Sequence, residues 1–98
     1  MALTKEFEYD CEIRGPYKSV QVRKATIIKD DGIEISRSYH RHVLQCCTKT
    51  NNTWGDTDIS NEDADVQSVC NALWSDNVKT AYKTFIDAQE AEANKLND

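Results

Sequence analysis

Phe7, Tyr9, Cys11 and Ile13 alternate with Glu6, Glu8, Asp10, Glu12 and Arg14, the period of two expected of a strand with one buried face. Gly15-Pro16 breaks this first strand, because proline donates no ladder bond and glycine tolerates a tight bend. From Tyr17 to Leu44 the chain reads as two long strands joined at Asp31-Gly32, since a type I′ turn needs φ > 0 at both central residues. A two-residue loop pairs Asp30 with Ile33, Ile28 with Ile35, Thr26 with Arg37, Lys24 with Tyr39, Val22 with Arg41 and Val20 with Val43, which puts the apolar side chains on one face. The other face carries Gln21, Arg23, Ala25, Ile27 and Lys29 beside Glu34, Ser36, Ser38, His40 and His42, and is mostly wet. A three-residue loop would shift the pairing by one. It would set Val20 and Val22 against His42 and His40 and part them from Ile35, Tyr39 and Val43, so the two-residue turn is preferred. Neighbours in sequence usually pair in space, giving an antiparallel meander of order 1-2-3 with the first and third strands as edges.

After Leu44 the apolar pattern stops. Thr48 to Thr53 is polar and rich in turn formers, so it reads as a loop. Trp54 inside this loop either plugs the rim of a core or waits for a partner. The plug is preferred, and the Lys49–Asp58 loop is the first place to look for a contact. Ser60 reads as the N-cap of a helix whose first turn holds Glu62, Asp63 and Asp65, with Ser60-x-x-Asp63 approximating a capping box. Val66, Val69, Cys70, Leu73 and Trp74 follow at helical spacing. Ser75 or Asp76 then caps a second helix with the stripe Val78, Ala81, Tyr82, Phe85 and Ile86. Gln89 to Asp98 has helix formers but few apolar residues, so it frays or continues as a solvated extension. The expected architecture is α+β, a three-stranded antiparallel meander followed by two amphipathic helices on one face. It forms a single domain over 1–98, with the meander at 1–46, the loop at 47–59 and the helices at 60–96.

Ninety-eight residues supply one modest core and no deep cleft between subdomains. Hydrophobic residues make up 39% and mean hydropathy is −0.71, and no apolar run approaches the ~20 residues of a membrane span. The N-terminus lacks the pattern of a secretory signal, so the expectation is a chain that stays in the cytoplasm where it is made unless an assembly carries it elsewhere. Charge is uneven beneath the net −5: residues 1–10 carry −2, 11–49 carry +4 and 50–98 carry −7. A basic sheet with an acidic helical half suits docking between neighbours or head-to-tail contact. The plainer reading is two solvated surfaces. Cys11, Cys46, Cys47 and Cys70 lack framework spacing, so free thiols and no structural disulfide are expected. Cys11 and Cys70 fall on apolar stripes and read as small core residues.

Signals for chemistry are thin. His40 and His42 share one strand face, with Cys46 in the same parity, but a doublet-ended cluster is not the spaced pair that zinc sites use, and no metal or other cofactor is expected. Cys46 or Cys47 with His40 or His42 is the one nucleophile–base grouping. With no phosphate loop, nucleophile elbow or HExxH, the expectation is no enzyme. The face with Arg23, Lys29, Ser36, Ser38, His40 and His42 lacks the interleaved aromatics of a nucleic-acid surface, and the chain is acidic overall.

The runs Ser19–Thr26 and Lys29–Leu44, together with Asp58-Ile59-Ser60-Asn61-Glu62-Asp63-Ala64-Asp65-Val66-Gln67 and the helix after it, resemble a family of small proteins from tailed bacteriophages, especially marine and cyanobacterial ones. The likeness covers about four fifths of the chain and is specific for the family but nearly silent about mechanism. It implies a phage origin and a structural or accessory part of the virion, an adaptor or decoration subunit on a capsid, neck, tail or fibre surface. Protein partners would be virion proteins or further copies of the chain. Cys46-Cys47 and the Lys49-to-Trp54 loop match no pattern of the family. The alternative is an intracellular phage effector whose acidic half occupies a basic host surface. The candidate interaction surface comprises Arg23, Arg37, His40, His42 and Trp54.

Overall fold

Three strands of twelve residues each, β1 (Leu3–Arg14), β2 (Ser19–Asp30) and β3 (Ile33–Leu44), form one antiparallel sheet in the order β1-β2-β3. This computed structural model describes residues 2–96. A short hairpin follows, β4 (Cys47–Thr50) with β5 (Thr53–Asp56), and then two helices, α1 (Ala64–Leu73) and α2 (Asp76–Leu96). The fold is α+β, as the periodicities imply.

The turn at Asp31-Gly32 has φ of +50° and +85°, the left-handed pair a type I′ turn demands. It pairs Asp30 with Ile33 and Lys29 with Glu34, but Ile28 then faces Ser36, leaving Ile35 as a bulge. One extra residue swaps the faces of everything after it. Val22 therefore pairs with His42, Lys24 with His40 and Val20 with Leu44. The two-residue turn is present, yet beyond the bulge the histidines share the face of Val20 and Val22, as a one-residue shift puts them, with Val20 against Leu44 and Val22 against His42. His40 and His42 thus lie on the face of Val20 and Val22, called here the front. Arg37, Tyr39, Arg41 and Val43 join Arg23, Ala25 and Ile27 on the back.

Both faces bury something, by different means. On the front, Val20 and Val22 cluster with Cys46, Cys47, Val66, Cys70 and Trp74, and Leu44, Trp54, Ile59, Val78 and Tyr82 pack around them. On the back no helix or further strand among the described residues lies over β2, yet Ala25 and Ile27 are buried. Their cover comes from long side chains of β2 itself and of the flanking strands. Arg37 bonds Glu34 at 2.7 Å and Glu8 at 3.2 Å, Lys29 meets Glu6 at 3.0 Å, and Arg23 stacks on Tyr39 at 4.6 Å. Exposed ion pairs of this kind contribute little singly, about 0–1 kcal/mol. The aliphatic stems that they hold in place do the burying.

The segment expected to be a loop contains the β4–β5 hairpin, whose Asn51-Asn52 turn has φ of +52° and +64°. Helix α1 is capped by Asp63, whose carboxylate accepts from Asp65 N–H at 3.0 Å. Ser60 is not the cap, because its own N–H donates to Asp58 at 2.9 Å and closes a turn ahead of the helix. Val66, Cys70 and Trp74 bury the predicted stripe, and Trp74 Nε1 donates to the Lys18 carbonyl at 2.8 Å. That bond ties the end of α1 to the β1–β2 turn. Ser75 caps α2, its hydroxyl accepting from Val78 N–H at 3.2 Å. Tyr82 and Phe85 pack on Tyr17, with ring centroids 5.9 and 5.1 Å apart, whereas Ala81 is exposed. The helix continues to Leu96 and is solvent-exposed from Asp87 to Lys95. Asn97 and Asp98 of the expected extension lie outside the described residues.

The sheet outruns its cover. Twelve-residue strands span about 40 Å, whereas the ten residues of α1 reach about 15 Å. The molecule accordingly measures 65 × 30 × 23 Å with a radius of gyration of 18.3 Å, against about 13 Å for a compact chain of this length.

Candidate interaction surface

The front face divides into a covered end and an open end. At the covered end Val20, Val22 and Leu44 meet α1 and the β4–β5 hairpin. Toward the Asp31-Gly32 turn no helix follows, and Leu3, Phe7 and Tyr9 of β1 and Ile33 of β3 stand 60, 47, 36 and 70% exposed. Partner residues in an antiparallel ladder share a face, so these side chains flank Thr26 and Ile28 of β2 on one side of the sheet. Lys24 Nζ sits 4.3 Å and Lys5 Nζ 5.7 Å from the Phe7 ring centroid. The result is an apolar strip bordered by cations, open to solvent and continuous with two unpaired strand edges. Every residue of β1 is exposed.

The five residues singled out from the sequence do not form one surface. Arg23 and Arg37 are on the back and already engaged. Arg23 Nε donates to Asp10 at 3.0 Å, and the carboxylates of Glu34 and Glu8 raise the pKa of the Arg37 guanidinium. Hydrogen bonding from Arg37 in turn holds Glu34 below the usual carboxylate range. His40 and His42 are on the front, their rings 6.0 Å apart. His40 is exposed, and His42 Nε2 lies 2.7 Å from Glu62 Oε1 in the lead-in to α1. They are therefore not a solvated pair on the face away from the helices, as the register read from the turn had placed them. Trp54 joins neither group: it is half-buried against Tyr82 at 5.9 Å, with Nε1 donating to Asp87 at 3.3 Å. It plugs the rim of the core.

The loop around Trp54 is likewise engaged within the chain. Lys49 Nζ reaches Asp87 at 2.9 Å and Glu90 at 2.7 Å, and Lys79 reaches Asp56 at 3.3 Å. These contacts raise the pKa of Lys49 and lower that of Asp87 through the hydrogen bond between them. Beside this clamp a groove of about 520 Å³ runs between the end of β3, the hairpin and α2, lined by Val43, Cys47, Trp54, Tyr82 and Ile86.

The nucleophile–base grouping is not assembled for chemistry. Cys46 and Cys47 are buried, and burial pushes the Cys46 thiol up to about 11, with the neighbouring Cys47 adding to the shift. A thiol so disposed is a poor source of thiolate at neutral pH. Cys70 is raised to about 11 for the same reason. Cys11, read as a core residue, is exposed on the edge strand β1, where partial burial and the nearby carboxylates, Asp63 first, raise its thiol pKa. All four cysteines are free thiols. Among the described residues no group of three or more His, Cys, Asp or Glu side chains is placed to hold a metal ion. No helix among them is long and apolar enough to cross a membrane.

The open strip of Leu3, Phe7, Tyr9 and Ile33 is the feature that a pattern reading missed. The available signal was length: a ten-residue helix cannot cover a twelve-residue strand. Comparison with known proteins gives no relative: no family, no curated protein and no solved structure matches this chain.

Proposed function

We propose that the protein is a non-enzymatic structural or accessory subunit of a phage particle, an adaptor or decoration protein that docks on a capsid, neck, tail or fibre surface. The observation that carries this reading is the uncovered sheet end, where Leu3, Phe7, Tyr9 and Ile33 are 36–70% exposed on one face. Contiguous apolar surface of this kind marks an interaction site on a soluble domain. Free strand edges beside it add main-chain groups for pairing. The phage assignment comes from the resemblance of Ser19–Thr26, Lys29–Leu44 and Asp58–Gln67.

Mass spectrometry of purified virions, with co-sedimentation of the isolated protein on particles lacking it, tests the reading. The expected result is stoichiometric presence in the virion and pelleting with the deficient particle. Phe7→Glu should abolish pelleting without unfolding the chain, since that side chain already faces water. It is a cleaner probe than reversal of Arg23 or Arg37, which would break ion pairs within the sheet. Absence from particles together with early expression would overturn the virion reading in favour of the host-effector alternative.

A further inference from the structure

The two edges of the sheet carry opposite charge on the back face. β1 presents Glu6, Glu8, Asp10 and Glu12 in alternation, ended by Arg14, and β3 presents Arg37 and Arg41 on either side of Tyr39, with Glu34 before the bulge bound to Arg37. The centre of the sheet already displays how such rows mate, with Lys29 on Glu6, Arg23 on Asp10, and Arg37 reaching past β2 to Glu8. Arg41 has no carboxylate partner among the described residues and lies 5.9 Å from the Tyr39 ring.

We infer, on the reading of the uncovered sheet as a docking surface, that copies of this chain join head to tail, β3 of one along β1 of the next, with Arg41 facing the next copy's row of carboxylates. The other two edge pairings are disfavoured by charge. Joining β1 to β1 sets four carboxylates against four, and joining β3 to β3 sets arginine against arginine. Like charges directly opposite destabilise a strand pair, and such repulsion selects among otherwise equivalent partners. The Ile35 bulge confines regular pairing on β3 to Ser36–Leu44 and so limits slippage toward the turn. Repetition of an unlike-edge contact closes into a ring or runs as an open array.

Two variants each remove one edge. Arg41→Glu reverses the free charge on β3 and leaves β1 intact, and Glu8→Lys with Glu12→Lys reverses β1 and leaves β3 intact. Sedimentation velocity over a concentration series should show wild type growing beyond its 11.2 kDa monomer and growing less at high salt, where the attraction is screened. Each variant alone should associate roughly tenfold or more weakly. Their equimolar mixture should regain association, because the unaltered β1 of one meets the unaltered β3 of the other and the two reversed edges are themselves complementary in charge. Circular dichroism and thermal melts establish that each variant is folded. If loss of the Glu8–Arg37 pair prevents folding, Glu12→Lys alone serves, since among the described residues Glu12 pairs only with nearby Arg14. Continued self-association of Arg41→Glu, or a mixture that stays monomeric while wild type associates, would overturn the head-to-tail contact. A strictly monomeric wild type that still pellets with particles would overturn it and leave the docking reading standing. A monomer that binds no particle would remove both.

Discussion

Two deletions of the same chemistry, at opposite extremes of exposure, test where this molecule keeps its stability. Val66→Ala removes two methyl groups from a side chain that is fully buried between α1 and the front of the sheet. At ~0.8 kcal/mol per buried carbon, transfer alone costs about 1.6 kcal/mol. The residual cavity adds up to about 1 kcal/mol, and alanine's better helix propensity offsets about 0.5. The expected net loss is about 2 kcal/mol, or a fall in Tm of about 10 °C for a domain of this size. Val43→Ala removes the same two groups from a side chain that is 54% exposed on the back of β3. About half its area is already in water and no cavity is left, so the cost should stay below about 1 kcal/mol. Urea unfolding at low protein concentration, with m unchanged, reads both values. Equal losses, or a larger loss at Val43, would refute the reasoning, because they would require a second layer on the back face.

Other expectations follow from single features. Gly32→Val should cost about 1–3 kcal/mol by equilibrium unfolding. Nothing lies within 4 Å of the added Cβ and the cost is purely that of φ +85°, so an unchanged midpoint would refute the left-handed turn. Thiol titration with an aromatic disulfide under native conditions should find one accessible cysteine, Cys11, and three protected until unfolding; two or more fast thiols would contradict the core. The raised thiol pKa values of Cys46 and Cys70 mean that the unfolded chain gives up these protons first. Their contribution is present below the ordinary thiol value of 9.0 and is lost as pH rises through the folded values near 11. Stability should therefore fall over that window, and Cys70→Ala should flatten the fall even as it lowers stability at neutral pH.

Much of the fold was legible because binary patterns with periods of two and 3.6 are strong in this chain. The meander, the Asp31-Gly32 turn, the Ser75 cap and the stripes from Val66 to Trp74 and Val78 to Ile86 all followed from them. The bulge at Ile35 did not, for a physical reason. Counting Arg37 as polar hides its aliphatic stem beside Ile27 on the back, and counting His42 as wet hides its contact with Glu62. The side-chain inventory thus favours a register that leaves Ile33 and Ile35 exposed, opposite to what apolar matching selects. The β4–β5 hairpin was obscured by its polar strands, although paired asparagines between threonines are a fair signal for a left-handed turn. The open end was missed because alternation shows which face is apolar, while how far a cover extends depends on element lengths.

Small-angle X-ray scattering, extrapolated to zero concentration on the Arg41→Glu protein to limit association, tests the uncovered sheet most directly. A radius of gyration near 18 Å, with a longest dimension near 65 Å, is the expected result. A value near the ~13 Å of a compact chain this long would mean that the helices or the sheet fold back over Leu3, Phe7, Tyr9 and Ile33, and would contradict the account.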